Sequence, residues 1–120
     1  MVTINLLYLR GTYIAEIIAH EVILNTVEDA LALMSDCIYQ GVRRLIISER
    51  NISPSFFDLN GPLAAEVLQK MVAYNVKLAI VGDYARHTSK SFLDFIAEHN
   101  KTGNISFVGS LTEAKEELTR

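Results

Sequence analysis

Residues 62–83, PLAAEVLQKMVAYNVKLAIVGD, hold the pattern that decides the fold. Pro62 suits the first turn of a helix, where its missing N–H leaves no hydrogen bond unmade. Ala64, Val67, Leu68, Met71 and Val72 then recur at helical spacing and form one apolar stripe. The period breaks at 76–81, VKLAIV, a short run apolar enough to be buried on both faces, and Gly82-Asp83 ends it. A helix followed at once by a buried strand is half of a parallel α/β repeat.

The repeat extends in both directions. Upstream, Leu45-Ile46-Ile47 is a second buried strand, joined to the Pro62 helix by a polar loop, 49–60, that carries Pro54 and Phe56-Phe57. Before it, Asn25-Thr26-Val27-Glu28 reads as a helix start in which Asn25 caps and Glu28 reaches back. Val27, Ala30, Leu31, Met34 and Ile38 make that helix's apolar face, and Gly41 stops it. The chain opens with β-rich runs at 3–9 and 13–18. Only Arg10-Gly11-Thr12 lies between them, a tight turn with Gly11 at positive φ, so the two form an antiparallel hairpin.

Downstream, Thr88 or Ser89 caps a third helix with Phe92, Phe95 and Ile96 facing inward. Residues 105–108 are a last strand, and Ser110-Leu111-Thr112-Glu113 is a capping box opening a helix that runs to Leu118. The expected architecture is a single layered α/β domain over 1–120, in the order ββαβαβαβα. Right-handed crossovers make the sheet mixed but mostly parallel, with the N-terminal hairpin antiparallel at an edge.

Half of the residues are hydrophobic, enough for a core without disulfide or metal staples. The formal net charge of −3, with acids and bases interleaved, argues against nucleic-acid and membrane-surface roles, which need a basic patch. Every apolar stretch falls far short of the roughly 20 residues that span a bilayer. The single cysteine, Cys37, excludes an intramolecular disulfide, and MVTINLLYLR has neither a basic leader nor a small-residue cleavage site. The reducing cytosol is the expected compartment.

In topology the order resembles the STAS domain of sulfate transporters and anti-sigma factor antagonists. Residues 57–63, FDLNGPL, lie where the antagonists carry an aspartate-serine-serine-glycine-leucine stretch whose second serine is phosphorylated. That position here is Asn60, which cannot take a phosphate. The stretches FFDLNGPLAAEVLQK (56–70), LAIVGDYARHTSKSFLDFIAEHN (78–100) and ISFVGSLTEA (105–114) resemble an uncharacterised bacterial family, domain of unknown function 4180. That resemblance implies no activity, because the family has none assigned.

In open α/β sheets, ligands bind beyond the carboxyl ends of the parallel strands. The candidate ligand-binding residues on that rim are Glu49, Arg50, Asp58, Asn60, Asp83, Arg86, Thr88, Ser89 and Lys90. Loops that simply meet water would have the same polar make-up. Arg86–Ser91 joins bases and hydroxyls to a helix start, which suits a small anion or ordinary capping. No Walker or G-x-G-x-x-G pattern supports a nucleotide. Glu49 with Asp83, or Asp58 with Asp83, would be the carboxylate pair of any acid–base chemistry.

Cys37 reads as core packing, and His20, His87 and His99 share no ligand spacing, so no metal, cofactor or catalytic residue is assigned. Phe56-Phe57 either splits between core and solvent, offering a protein-contact anchor, or closes over the sheet as a lid. The leading functional expectation is a non-enzymatic STAS-like regulatory or interaction module with a protein partner on the 49–61 loop. The alternative is a binder of, or enzyme on, a small anionic ligand at the rim. A homo-oligomer built on the hairpin edge or a helix face is the third reading.

Overall fold

A computed structural model describes residues 2–58, 61–84 and 90–120, with Thr102 described by its backbone alone. The chain runs β1 (Thr3–Leu9), β2 (Thr12–Ile18), α1 (Val27–Tyr39), β3 (Arg44–Ser48), α2 (Leu63–Tyr74), β4 (Lys77–Val81), α3 (Lys90–Thr102), β5 (Ile105–Val108) and α4 (Leu111–Leu118). This is the expected order. Between β3 and α2 the loop winds into two 3₁₀ turns, Glu49–Asn51 and Pro54–Phe57.

Local chemistry explains the element ends. In the β1–β2 turn both Arg10 (φ 51°) and Gly11 (φ 75°) are left-handed, so the turn is the two-residue kind whose twist matches the strands it joins. Thr26, rather than Asn25, caps α1. Its hydroxyl accepts from Asp29 N at 3.1 Å, while the Asp29 carboxylate accepts from the backbone N–H groups of Thr26 and Asn25. The register moves by one because one carboxylate takes both amides, leaving Asn25 a donor rather than the cap. Gly41, at φ 82°, ends the helix as expected: its N–H and that of Val42 return to Ile38 O and Cys37 O. Asn75 (φ 55°) closes α2 in the same way, with Val76 N donating to Met71 O at 2.8 Å.

The strands lie in chain order, β1-β2-β3-β4-β5, with the first pair antiparallel and the others parallel. Right-handed crossovers that all step the same way place their helices on one face. Accordingly Met34 and Cys37 of α1, Val67 and Met71 of α2, and Phe95 and Ile96 of α3 pack on Ile17, Leu45, Ile47, Leu78, Ile80 and Phe107. α4 covers the other face by itself, laying Ala114 and Leu118 on Ile14, Ile46 and Ala79. Among the described residues no helix is long and apolar enough to cross a membrane.

Candidate functional site

A sheet wound in one direction has no switch point in strand order, the usual source of a binding crevice in α/β folds. The crevice here has a different origin. Beyond the end of β3 the chain keeps pairing: Ile23 N and Leu24 N donate to Asn51 O, and Ser53 N donates to Leu24 O. The Asn51 side chain, 2 % exposed, donates to Ala19 O at 3.0 Å and Glu21 O at 2.8 Å. One asparagine thus staples the β2–α1 connection to the β3–α2 connection. The stapled loops stand above the strand ends and wall off a cleft of about 530 Å³.

The cleft wall is apolar at Val22, Ile52, Pro54, Phe57 and Phe92, and polar at Ser48, Glu49, Arg50 and Asp83. Phe56 is fully buried and meets the half-buried Phe57 edge-on at 5.2 Å, and Phe57 in turn meets Phe92 at 5.9 Å and Phe107 at 6.2 Å. Both phenylalanines therefore close over the sheet, and neither stands out as an anchor.

Gly82 sits at the polar end because nothing larger fits. A Cβ there would collide with Glu49 Oε2 and lie 2.9 Å from both Glu49 Cβ and Tyr84 Cζ. The side chains of Glu49 and Tyr84 thus close on the β4 terminus. Tyr84 donates to Ile80 O at 3.1 Å and stacks edge-on against Phe107. Burial, reinforced by the Glu49 charge, pushes the phenol's pKa well above its usual value.

The candidate residues divide three ways. Glu49, Arg50 and Asp83 come together in the cleft wall. Asp58 lies after the second 3₁₀ turn, where its backbone carbonyl accepts from Gly61 N at 3.0 Å, outside the wall. Lys90 begins α3 and pairs with Asp94 at 3.0 Å in solvent. Asn60, Arg86, Thr88 and Ser89 lie outside the described residues, as does the Asn60 turn; Gly61 and Pro62 do directly precede α2. Val22 and the staple by Asn51 were not legible in sequence. The one signal for Val22 is an apolar run, Val22-Ile23-Leu24, inside an otherwise polar connection.

Burial holds Cys37 and Tyr84 in their neutral, protonated forms. Burial, with Asp36 adding to it, pushes the Cys37 thiol up to about 11, so it is no thiolate at neutral pH. Burial lowers His99, against a smaller opposing pull from Glu98, and its ring lies 4.3 Å from Phe95. Among the described residues no group of three or more metal-ligating side chains gathers.

Residues 9–118 match the family described as a domain of unknown function, DUF4180. The chain belongs to that family. The match spans every element from the end of β1 to the end of α4, so the DUF4180 unit contains the cleft and its staple. Neither a curated protein nor a solved structure matches the chain.

Proposed function

We propose that this DUF4180 chain is a non-enzymatic regulatory module that holds a small organic molecule in the cleft above β3 and β4. The observation that carries this reading is the cleft itself: about 530 Å³, within the usual range for small-molecule sites, with an apolar wall and a few polar groups at one end. Phe57 and Phe92 suit a flat apolar ring. Among the described residues of the wall, the carboxylates of Glu49 and Asp83 outnumber the guanidinium of Arg50, which suits hydrogen-bond donors or a cationic group on that ring.

A bare anion has less support. It would draw on residues 86–90, of which only Lys90 is described, and Lys90 is paired with Asp94. The STAS-type reading of a partner surface on the 49–61 loop loses its aromatic anchor, because Phe56 is buried and Phe57 lines the cleft. The regulatory role expected from the STAS resemblance, and the cytosolic setting expected from cysteine usage, go with ligand sensing equally well.

Amide NMR titration tests the reading, with benzamidine and tryptamine set against benzoate and inorganic phosphate. The amines are expected to shift amides of residues 48–57 and 81–83 at millimolar concentration. Val22→Trp, which fills the mouth from an exposed position, is expected to remove those shifts. Stronger shifts from phosphate or benzoate would restore the anion reading. No shift from any probe, or shifts that survive Val22→Trp, would overturn the cleft as a site.

A further inference from the structure

The two edges of the sheet are treated differently. β5 is four residues long, buried at Ile105, Ser106 and Phe107, and packed against α3 and α4. Its ladder is also closed from outside: Phe107 N donates to Asn100 Oδ1 of α3 at 2.8 Å. That is how folds keep an edge from pairing with another chain.

β1, although its Ile4, Leu7 and Leu9 pack on the two cores, has no such bond closing its outer edge among the described residues. It is seven residues long, TINLLYL, with no charge, no proline and a continuous register against β2 from Thr3↔Ile18 to Leu9↔Thr12. In a two-residue hairpin the flanking pair, Leu9 and Thr12, exchanges both backbone bonds, and the pattern alternates from there. Thr3, Asn5, Leu7 and Leu9 therefore bond inward to β2. The backbone groups of Ile4, Leu6 and Tyr8 point away from the sheet. The side chains on this margin are apolar and open, with Leu6 44 % and Tyr8 61 % exposed.

We propose that β1 pairs with β1 of a second copy of this chain, antiparallel about a two-fold axis at Leu6, so that the two sheets become one. The strand is complementary to itself in this register. Leu6 faces Leu6 of the other copy, and Ile4 faces its Tyr8, so all the outward N–H and C=O groups of these residues are used. The apolar side chains of each copy then cover those of the other. The absence of charge matters on a chain of net charge −3, because an uncharged strand brings no repulsion of its own to the contact. The antiparallel two-fold closes on itself, unlike a head-to-tail contact, which would continue into a filament.

Sedimentation velocity of the full chain is expected to show a dimer that dissociates on dilution. Over the same dilution the amides of Ile4, Leu6 and Tyr8 are expected to lose protection from hydrogen exchange, while those of Leu7 and Leu9 keep theirs. Leu6→Lys and Leu6→Glu each place like charges opposite one another at the axis, so each alone is expected to sediment as a folded monomer. Mixed in equal amounts, the two are expected to form a heterodimer. A wild-type monomer at every concentration, a species larger than a dimer, a dimer unaffected by Leu6→Lys, or a mixture that stays monomeric would each overturn the proposal. The exchange measurement needs no variant and decides the matter if either charged chain fails to fold.

Discussion

Asn51 shows how one polar side chain can build a site without touching a ligand. Its amide is buried, and such a group is tolerated only when hydrogen-bonded. It satisfies the carbonyls of Ala19 and Glu21, which come from a connection some thirty positions away in the chain. Asn51→Ala leaves those carbonyls without their donor and opens a space beneath the cleft. The expected loss in urea melts is roughly 1–3 kcal/mol, with faster amide exchange at Ile23 and Leu24. Melts that superimpose on the parent's would mean that water replaces the amide and that the staple contributes little. Sequence placed Asn51 in the polar 49–60 loop and no more, because its partners are fixed by the pairing of two loops.

At the scale of the element, α1 and α2 end alike. Each turns through one left-handed residue, Gly41 or Asn75, and drops a valine, Val42 or Val76, into the core ahead of the next strand. A Cβ at position 41 would meet nothing within 4 Å, so the demand for glycine there is conformational and not steric. Gly41→Ala is expected to cost about 1 kcal/mol, and Gly41→Asn distinctly less, since asparagine already serves at 75. Thermal melts of the two variants check the order; equal losses would point to a contact unrelated to backbone conformation. The glycine stop was plain in sequence, as were the hairpin and the capping serine of α4, whose hydroxyl accepts from Glu113 N at 3.1 Å. All rest on residues within a few positions of one another. The cap of α1 slipped by one residue because Asn25 and Thr26 both qualify by type, and only the reach of Asp29 separates them.

For the whole molecule, stability should depend on pH at both ends of the range. His99 has a folded pKa below the ordinary 6.5, set first by burial between α3 and β5. On acidification the unfolded chain takes up this proton first, so the folded state loses ground as pH falls below 6.5, until the folded imidazole titrates too. Cys37, raised to about 11 from an ordinary 9.0, works at the other end: stability falls as pH rises from 9 towards 11, because the unfolded thiol ionises first. Urea midpoints measured across pH 5–8 should show a smaller acid loss in His99→Gln, and those across pH 8–11 a smaller alkaline loss in Cys37→Ala. A variant whose profile parallels the parent's would remove that residue from the account. Both groups lie on the helical side of the sheet; the burial of Cys37 was legible in sequence, whereas the partial burial of His99 against β5 came only from the packing.

The sequence by itself determined the kind and order of the elements, down to the tight hairpin turn and the buried strands, though the turn is one residue shorter than the Arg10-Gly11-Thr12 it showed, because Thr12 already belongs to β2. Those features come from periodicity and from local rules for caps and turns, which act over a few residues. It also placed Glu49, Arg50 and Asp83 on the strand-end rim, because a parallel sheet puts every strand-to-helix loop at the same end. Only the tertiary structure decided the strand order, the grouping of α1, α2 and α3 on one face, and the closing of both Phe56 and Phe57 over the sheet, with Phe57 also lining the cleft. It alone showed that Asp58 and Lys90 stand apart from the cleft while Val22 helps to line it. These depend on which loops pair across long stretches of chain, through hydrogen bonds such as those of Asn51 whose two ends no local pattern can join.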